Sequence, residues 1–189
     1  AIVLLAAALR IRGAIGPLWV DEVWSLDIVA NVESGATSFA EALTFDNNHY
    51  LNTLYLALVG IDAPVLLQRG LSILLGVAAV IAAGLGMRRY GRPAMLAAMG
   101  LFAVSFPLVN FGSEARGYAG LVLMTLLALL VTERAMDSRR RGWPLLLGLV
   151  ALLGLLFQPI MAMSLVLLAV WCAAAAWRET RSLRHAEAT

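Results

Sequence analysis

Gly70-Leu71-Ser72-Ile73-Leu74-Leu75-Gly76-Val77-Ala78-Ala79-Val80-Ile81-Ala82-Ala83-Gly84-Leu85-Gly86-Met87 carries no ionisable side chain, and Arg88 and Arg89 follow it directly. A helix crossing a bilayer needs roughly 20 apolar residues, so this stretch reads as a membrane span. Four more apolar runs follow: Ala94 to Val109, Ala119 to Val131, Leu145 to Phe157, opened by Pro144, and Ile160 to Trp177. Each is near crossing length, the shorter ones when flanking residues contribute. The 189-residue chain is 61% hydrophobic and only 14% charged, with a mean hydropathy of +0.85. That lies outside the range of an ordinary soluble domain. The expected fold is all-α, a polytopic transmembrane helical bundle.

Arginines set the orientation. All fourteen basic residues are arginine, and they gather between the apolar runs, which argues for membrane topology rather than nucleic acid. Arg88, Arg89 and Arg92 follow the first long run, Arg134 with Arg139, Arg140 and Arg141 the third, and Arg178, Arg181 and Arg184 the fifth. Under the positive-inside rule these clusters are cytoplasmic, and they alternate correctly if each run crosses once. Arg69, Gly112 to Tyr118 and the Gln158-Pro159 turn then face outward. The lone Cys172 sits within an apolar run, where a thiol is usually packing. Ala79 with Ala83 and Ala82 with Gly86 are small pairs that let helices approach.

Ahead of the first long run the chain changes character. Ala1 to Leu9 has about half the length of a span, so the chain is expected to begin inside its first membrane helix. Arg10 and Arg12 fall at its outer end, against the charge rule. Residues 18–48 hold Asp21, Glu22, Asp27, Glu33, Glu41 and Asp46 and no basic residue. Val23 to Asn31 and Ser38 to Leu43 are expected as short interfacial helices, with Ser38 as N-cap and Glu41 three residues on. Tyr50 to Ile61 is too short to cross. The expected organisation is a single partial module: a truncated first helix over 1–12, an external loop with interfacial helices over 13–68, five transmembrane helices over 69–178, and a cytoplasmic tail over 179–189. Asp21, Glu22, His49, Arg69, Glu114 and Arg116 then share one side of the membrane.

The acid pair lies in Leu18-Trp19-Val20-Asp21-Glu22-Val23-Trp24-Ser25. Neighbouring carboxylates cannot both ionise freely when partly desolvated, which suits proton transfer or pairing with an arginine. Further on come Asn48-His49-Tyr50-Leu51-Asn52-Thr53-Leu54-Tyr55, Arg69-Gly70-Leu71-Ser72, Arg88-Arg89-Tyr90-Gly91-Arg92 and Ser113-Glu114-Ala115-Arg116-Gly117-Tyr118. In that order the five elements resemble the GT-C membrane glycosyltransferases that use lipid-phosphate sugars. The nearest group in pattern is the protein O-mannosyltransferases and lipid A aminoarabinose transferases of glycosyltransferase family 39 and its bacterial relatives. The chain departs from that pattern at Tyr50 and Leu51, where the histidine motif has prolines, and at Gly70 and Leu71. The family's later helices and second external region have no counterpart in this stretch.

The resemblance implies transfer of a sugar from a polyprenyl-phosphate donor to a protein, lipid or glycan acceptor. The site would face outward from an integral membrane protein of the bacterial inner membrane. Such a transfer needs a base for the acceptor, stabilisation of the departing phosphate and a seat for the sugar. The resemblance makes Asp21 the base, and Glu22 a second catalytic candidate that orients the loop by pairing with Arg69. It places His49, Arg69, Glu114, Arg116 and Tyr118 in substrate binding, with Arg116 drawing the lipid phosphate. Without it, Arg69 reads equally as an interfacial arginine, Arg116 as the partner of Glu114, and His49 as a polar interfacial residue. Trp19, Trp24, Tyr50 and Tyr55 could stack on a sugar or anchor the interface. No cluster has metal-ligand spacing, no cofactor is certain, and participation of a divalent metal stays open. The other classes that fit are a transporter or lipid flippase and a non-catalytic membrane scaffold.

Overall fold

A computed structural model describes residues 1–42, 44, 49–138 and 142–187, with only the backbone described for Phe39 and residues 179–187. Asp46 and Asn48 of the acidic stretch and histidine motif, Leu43, and Arg139, Arg140 and Arg141 of the second basic cluster lie outside the described residues. Among the described residues the protein is all-helical. The helices are α1 (Ile2–Gly13), α2 (Val20–Glu33), α3 (Phe39–Ala42), α4 (Tyr50–Val59), α5 (Val65–Gln68), α6 (Gly70–Met87), α7 (Arg92–Val104), α8 (Phe106–Phe111), α9 (Tyr118–Asp137), α10 (Gly142–Phe157) and α11 (Met161–Glu187).

The leading apolar run forms α6, and it is the centre of the packing, with α1, α7 and α9 around it. Its small residues let α9 approach: Ala79 and Ala82 share one buried cluster with Leu123, Met124 and Ala128 of α9, which α10 extends from the far side of α9 through Val150 and Phe157. Val80 turns the other way, towards Ala6 of α1 and Ala103 of α7. A single 3₁₀ turn, Arg88–Tyr90, ends at Gly91, whose φ of 99° is open to glycine at little cost. Pro93 then opens α7, at a position where its missing N–H is not needed.

Three helices are long and apolar enough to cross a membrane, over Gly70–Tyr90, Tyr118–Asp137 and Met161–Arg178. The remaining two expected spans fall short. α10 has 16 residues. The run 94–109 is not one helix: α7 stops at Val104, Ser105 takes an extended conformation (ψ 119°), and α8 restarts at Phe106. Pro107 is the cause, since it has no N–H for the Ala103 carbonyl and its ring disfavours a continuous helix. At the other end α11 continues through Glu187, across the segment expected as a tail. Residues 161–187 contain no glycine or proline to stop it.

The acidic stretch is also helical. α2 starts at Val20 rather than Val23, because the Glu22 carboxylate turns back to accept the Trp19 backbone N–H at 2.8 Å. Asp21 and Glu22 thus occupy the first turn, where the helix dipole favours negative charge. At α3 the expected cap forms: the Glu41 carboxylate accepts the Ser38 N–H at 2.9 Å and the Ser38 hydroxyl accepts the Glu41 N–H at 3.3 Å. α4 has ten residues, about 15 Å of helix against roughly 30 Å of hydrocarbon. It lies between α2 and α10.

Candidate functional site

The site is built around a buried ion pair. Glu22 and Arg69 are both sealed from solvent, at 0% and 1% exposure. Arg69 Nε donates to one Glu22 oxygen at 2.8 Å and an Arg69 terminal nitrogen to the other at 2.6 Å. This two-pronged contact suits the planar guanidinium. The rest of the guanidinium donates to the carbonyls of Ala14 (2.8 Å), Pro17 (2.9 Å) and Gly16 (3.2 Å). Glu22 accepts a further hydrogen bond from the Ala115 N–H at 2.6 Å. One ion pair therefore gathers the turn after α1, the start of α2, the start of α6 and the segment before α9. Glu22, expected as catalytic, is saturated by these partners and holds the loop.

That brings the Ser113 to Tyr118 segment against α2. Arg116 forms an ion pair with Asp21 and a second with Glu114 at 3.2 Å. Its guanidinium lies 4.6 Å from the centre of the Tyr118 ring, a cation–π contact, and approaches the Tyr118 hydroxyl at 3.4 Å. Tyr118 stacks on Phe111 and meets the edge of His49 at 5.5 Å. Asp21 is the open member, with about a third of its side chain exposed (31%). All seven residues expected at the site thus fall in one connected group.

Two of them have displaced proton affinities. Burial raises the Glu114 pKa, against the opposing hydrogen bond from Arg116. Burial also lowers the His49 pKa, aided by the Arg116 charge, while the Phe157 carbonyl and Asp21 act the other way. Neither His49 ring nitrogen completes a hydrogen bond.

A cavity of about 400 Å³ opens beside the group, bounded by Gly13, Gly16, Trp19, Arg69, Asn110 and Glu114. Asp21, Arg116, His49 and Tyr118 are not among its lining residues; Arg69 joins the cavity to Glu22, and Glu114 joins it to Arg116 and so to Asp21. Trp19 and Trp24 are both more than half exposed. Tyr55 is not available for stacking by its hydroxyl edge, which donates to the Leu67 carbonyl at 2.6 Å.

Sequence reasoning passed over three residues that position the site. Asn52 donates to the Ala115 carbonyl at 2.6 Å and Ser72 to the Arg116 carbonyl at 3.1 Å. Both stand within motifs already quoted, and a polar residue amid apolar helical neighbours was the signal. The third is Arg10, buried to 1% exposure. It donates to the carbonyls of Phe102 (3.2 Å) and Ala103 (3.5 Å) in the last turn of α7, and to that of Leu108 (3.4 Å) in α8, which also accepts the Gly112 N–H. Gly76 and Gly112 leave it room, as a Cβ on either would sit 2.6 Å from its Nε. Its place in the last turn of α1 is thus a structural one. Among the described residues no group of three His, Cys, Asp or Glu side chains is placed to hold a metal ion. Compared with known proteins, the chain matches no family model, no curated protein and no solved structure.

Proposed function

We propose that this protein is a membrane glycosyltransferase, with α1, α6, α7–α8, α9, α10 and α11 as a polytopic bundle. The segment from α2 to α5 lies on the outer face of a bacterial inner membrane. The observation that carries the reading is the ion pair between Asp21 and Arg116. It joins two motifs 95 positions apart in sequence, and these are the two to which the resemblance assigns the base and the phosphate ligand.

In this reading a polyprenyl-phosphate sugar brings its phosphate to Arg116. The guanidinium cannot serve both anions equally, so phosphate binding loosens Asp21. The released carboxylate takes the proton from an acceptor O–H or N–H as the acceptor atom bonds to the anomeric carbon. The bond from that carbon to the phosphate oxygen breaks, and the phosphate leaves with the electron pair, held by Arg116. The Glu22–Arg69 pair keeps α2 and the 113–118 segment in register, and Glu114 faces the cavity in which donor or acceptor would sit.

The test is Asp21→Asn in the full-length protein, supplied with a polyprenyl-phosphate sugar and its acceptor. Transfer is expected to vanish while membrane insertion is unchanged. Undiminished transfer removes Asp21 from the mechanism. Transport is a second reading favoured by one observation, the broken helix α7–α8 with a buried arginine at the break, a feature of transporters. Flux of lipid or solute across reconstituted vesicles would support it.

A further inference from the structure

At the opposite end of α6 and α9 from the candidate site lies a larger cleft of about 600 Å³. Its floor is apolar, formed by Leu85, Leu127, Leu130 and Val131, and its rim carries Arg88, Arg89 and Arg134 with Glu133 and Asp137. Arg89 is occupied by Glu133, at 2.8 Å. Arg88 and Arg134 are exposed and, among the described residues, have no ion pair. Trp143, at the start of α10, also lines the cleft, and its indole N–H is buried without an acceptor among the described residues. A buried donor left unpaired costs free energy that an incoming acceptor would recover.

We propose that this cleft binds the headgroup of an anionic phospholipid from the adjacent leaflet. The phosphate sits on Arg88 and Arg134, an ester or glycerol oxygen accepts from Trp143, and an acyl chain lies along Leu127 and Leu130. Charge selects the occupant, since three arginines outnumber the two acids at the rim. Apolar floor beneath a basic rim, at the end of two helices apolar enough to span a bilayer, matches a lipid rather than a soluble anion. The inference rests on the membrane part of the functional reading and not on glycosyl transfer.

The experiment is native mass spectrometry of the detergent-purified full chain, exposed to equimolar phosphatidylglycerol and phosphatidylcholine with identical acyl chains. Wild type is expected to keep phosphatidylglycerol over phosphatidylcholine by at least about tenfold, from two arginines at the surface. That preference should be lost in the Arg88→Gln/Arg134→Gln double variant, whereas Trp143→Phe should lower retention of both lipids alike, since each offers the same ester oxygens. The preference should persist in Arg88→Lys/Arg134→Lys and in Arg178→Gln, an exposed arginine on another helix. Size-exclusion behaviour and thermal midpoint show that each variant is folded. Equal retention of both lipids by wild type, or an undiminished preference in the double variant, overturns the site. Displacement of the lipid by inorganic phosphate alone also overturns it, in favour of a soluble-anion site. Retention of neither lipid would count against the membrane reading itself, which separates the two failures.

Discussion

Glu22 and Arg69 illustrate how a buried charge is tolerated: each is expensive to desolvate, and each is surrounded by groups that complete its hydrogen bonding. Removing one partner strands the other. Glu22→Gln or Arg69→Met is expected to cost about 3–5 kcal/mol of stability. The double variant should cost less than the sum, a coupling readable from thermal or denaturant unfolding in detergent. Additive losses would show that the two residues act independently. His49 makes a prediction of opposite kind. Its folded pKa is lowered, so the unfolded chain takes up the proton first on acidification. The stability it contributes is present above about pH 6.5 and is lost as pH falls from there towards the folded value. Glu114, whose pKa is raised, contributes the reverse slope, stability falling as pH rises above the ordinary carboxylate range. A thermal-midpoint series in a Glu114→Gln background therefore isolates the histidine. There, His49→Gln should flatten the acid limb, and an unchanged limb would assign it to another group.

At the scale of elements, close approach rather than propensity decides two junctions. A Cβ on Gly117 would lie 1.9 Å from the Phe157 carbonyl oxygen, so the start of α9 can meet the end of α10 only through glycine. Gly117→Ala must displace backbone, at a cost of about 1–3 kcal/mol. Gly148, in the middle of α10, has nothing within 4 Å of a Cβ. Gly148→Ala should stabilise by roughly 0.5–1 kcal/mol through helix propensity. Opposite signs in thermal unfolding check the pair; equal signs would place the contact elsewhere. The break between α7 and α8 follows the same logic. Pro107 frees backbone carbonyls at the end of α7 in an apolar setting, and Arg10, reaching across from α1, supplies donors to those of Phe102 and Ala103.

For the whole molecule, the functional reading requires that α4 does not cross. Single cysteines can test it in a Cys172→Ser background. Gly35→Cys and Asp62→Cys should react with an impermeant thiol reagent from the same side of a sealed membrane. Arg92→Cys should react only from the other. Opposite-sided labelling of positions 35 and 62 would thread α4 through the bilayer and separate Asp21 from Arg69's end of α6. The helical class and the apolar core of α6, α9 and α11 were legible from composition and run length, because both depend on residues summed over a local window. Pairing of Asp21 with Arg116 rather than of either with a solvent ion was not, since residues so far apart in the chain meet only after the bundle has packed.

Read alone, the amino-acid order determined that helices form, that at least α6, α9 and α11 are apolar enough for a membrane, and that acids collect ahead of them. These are consequences of side-chain hydropathy summed over local windows. Tertiary structure alone decided that Glu22 is a sealed anchor while its neighbour Asp21 stays open, and that Arg10 closes a helix break instead of marking a membrane face. The reason is geometric. Adjacent residues on a helix point about 100° apart, so which of two identical charges is buried depends on what packs against each, and that is settled only when distant segments close over them.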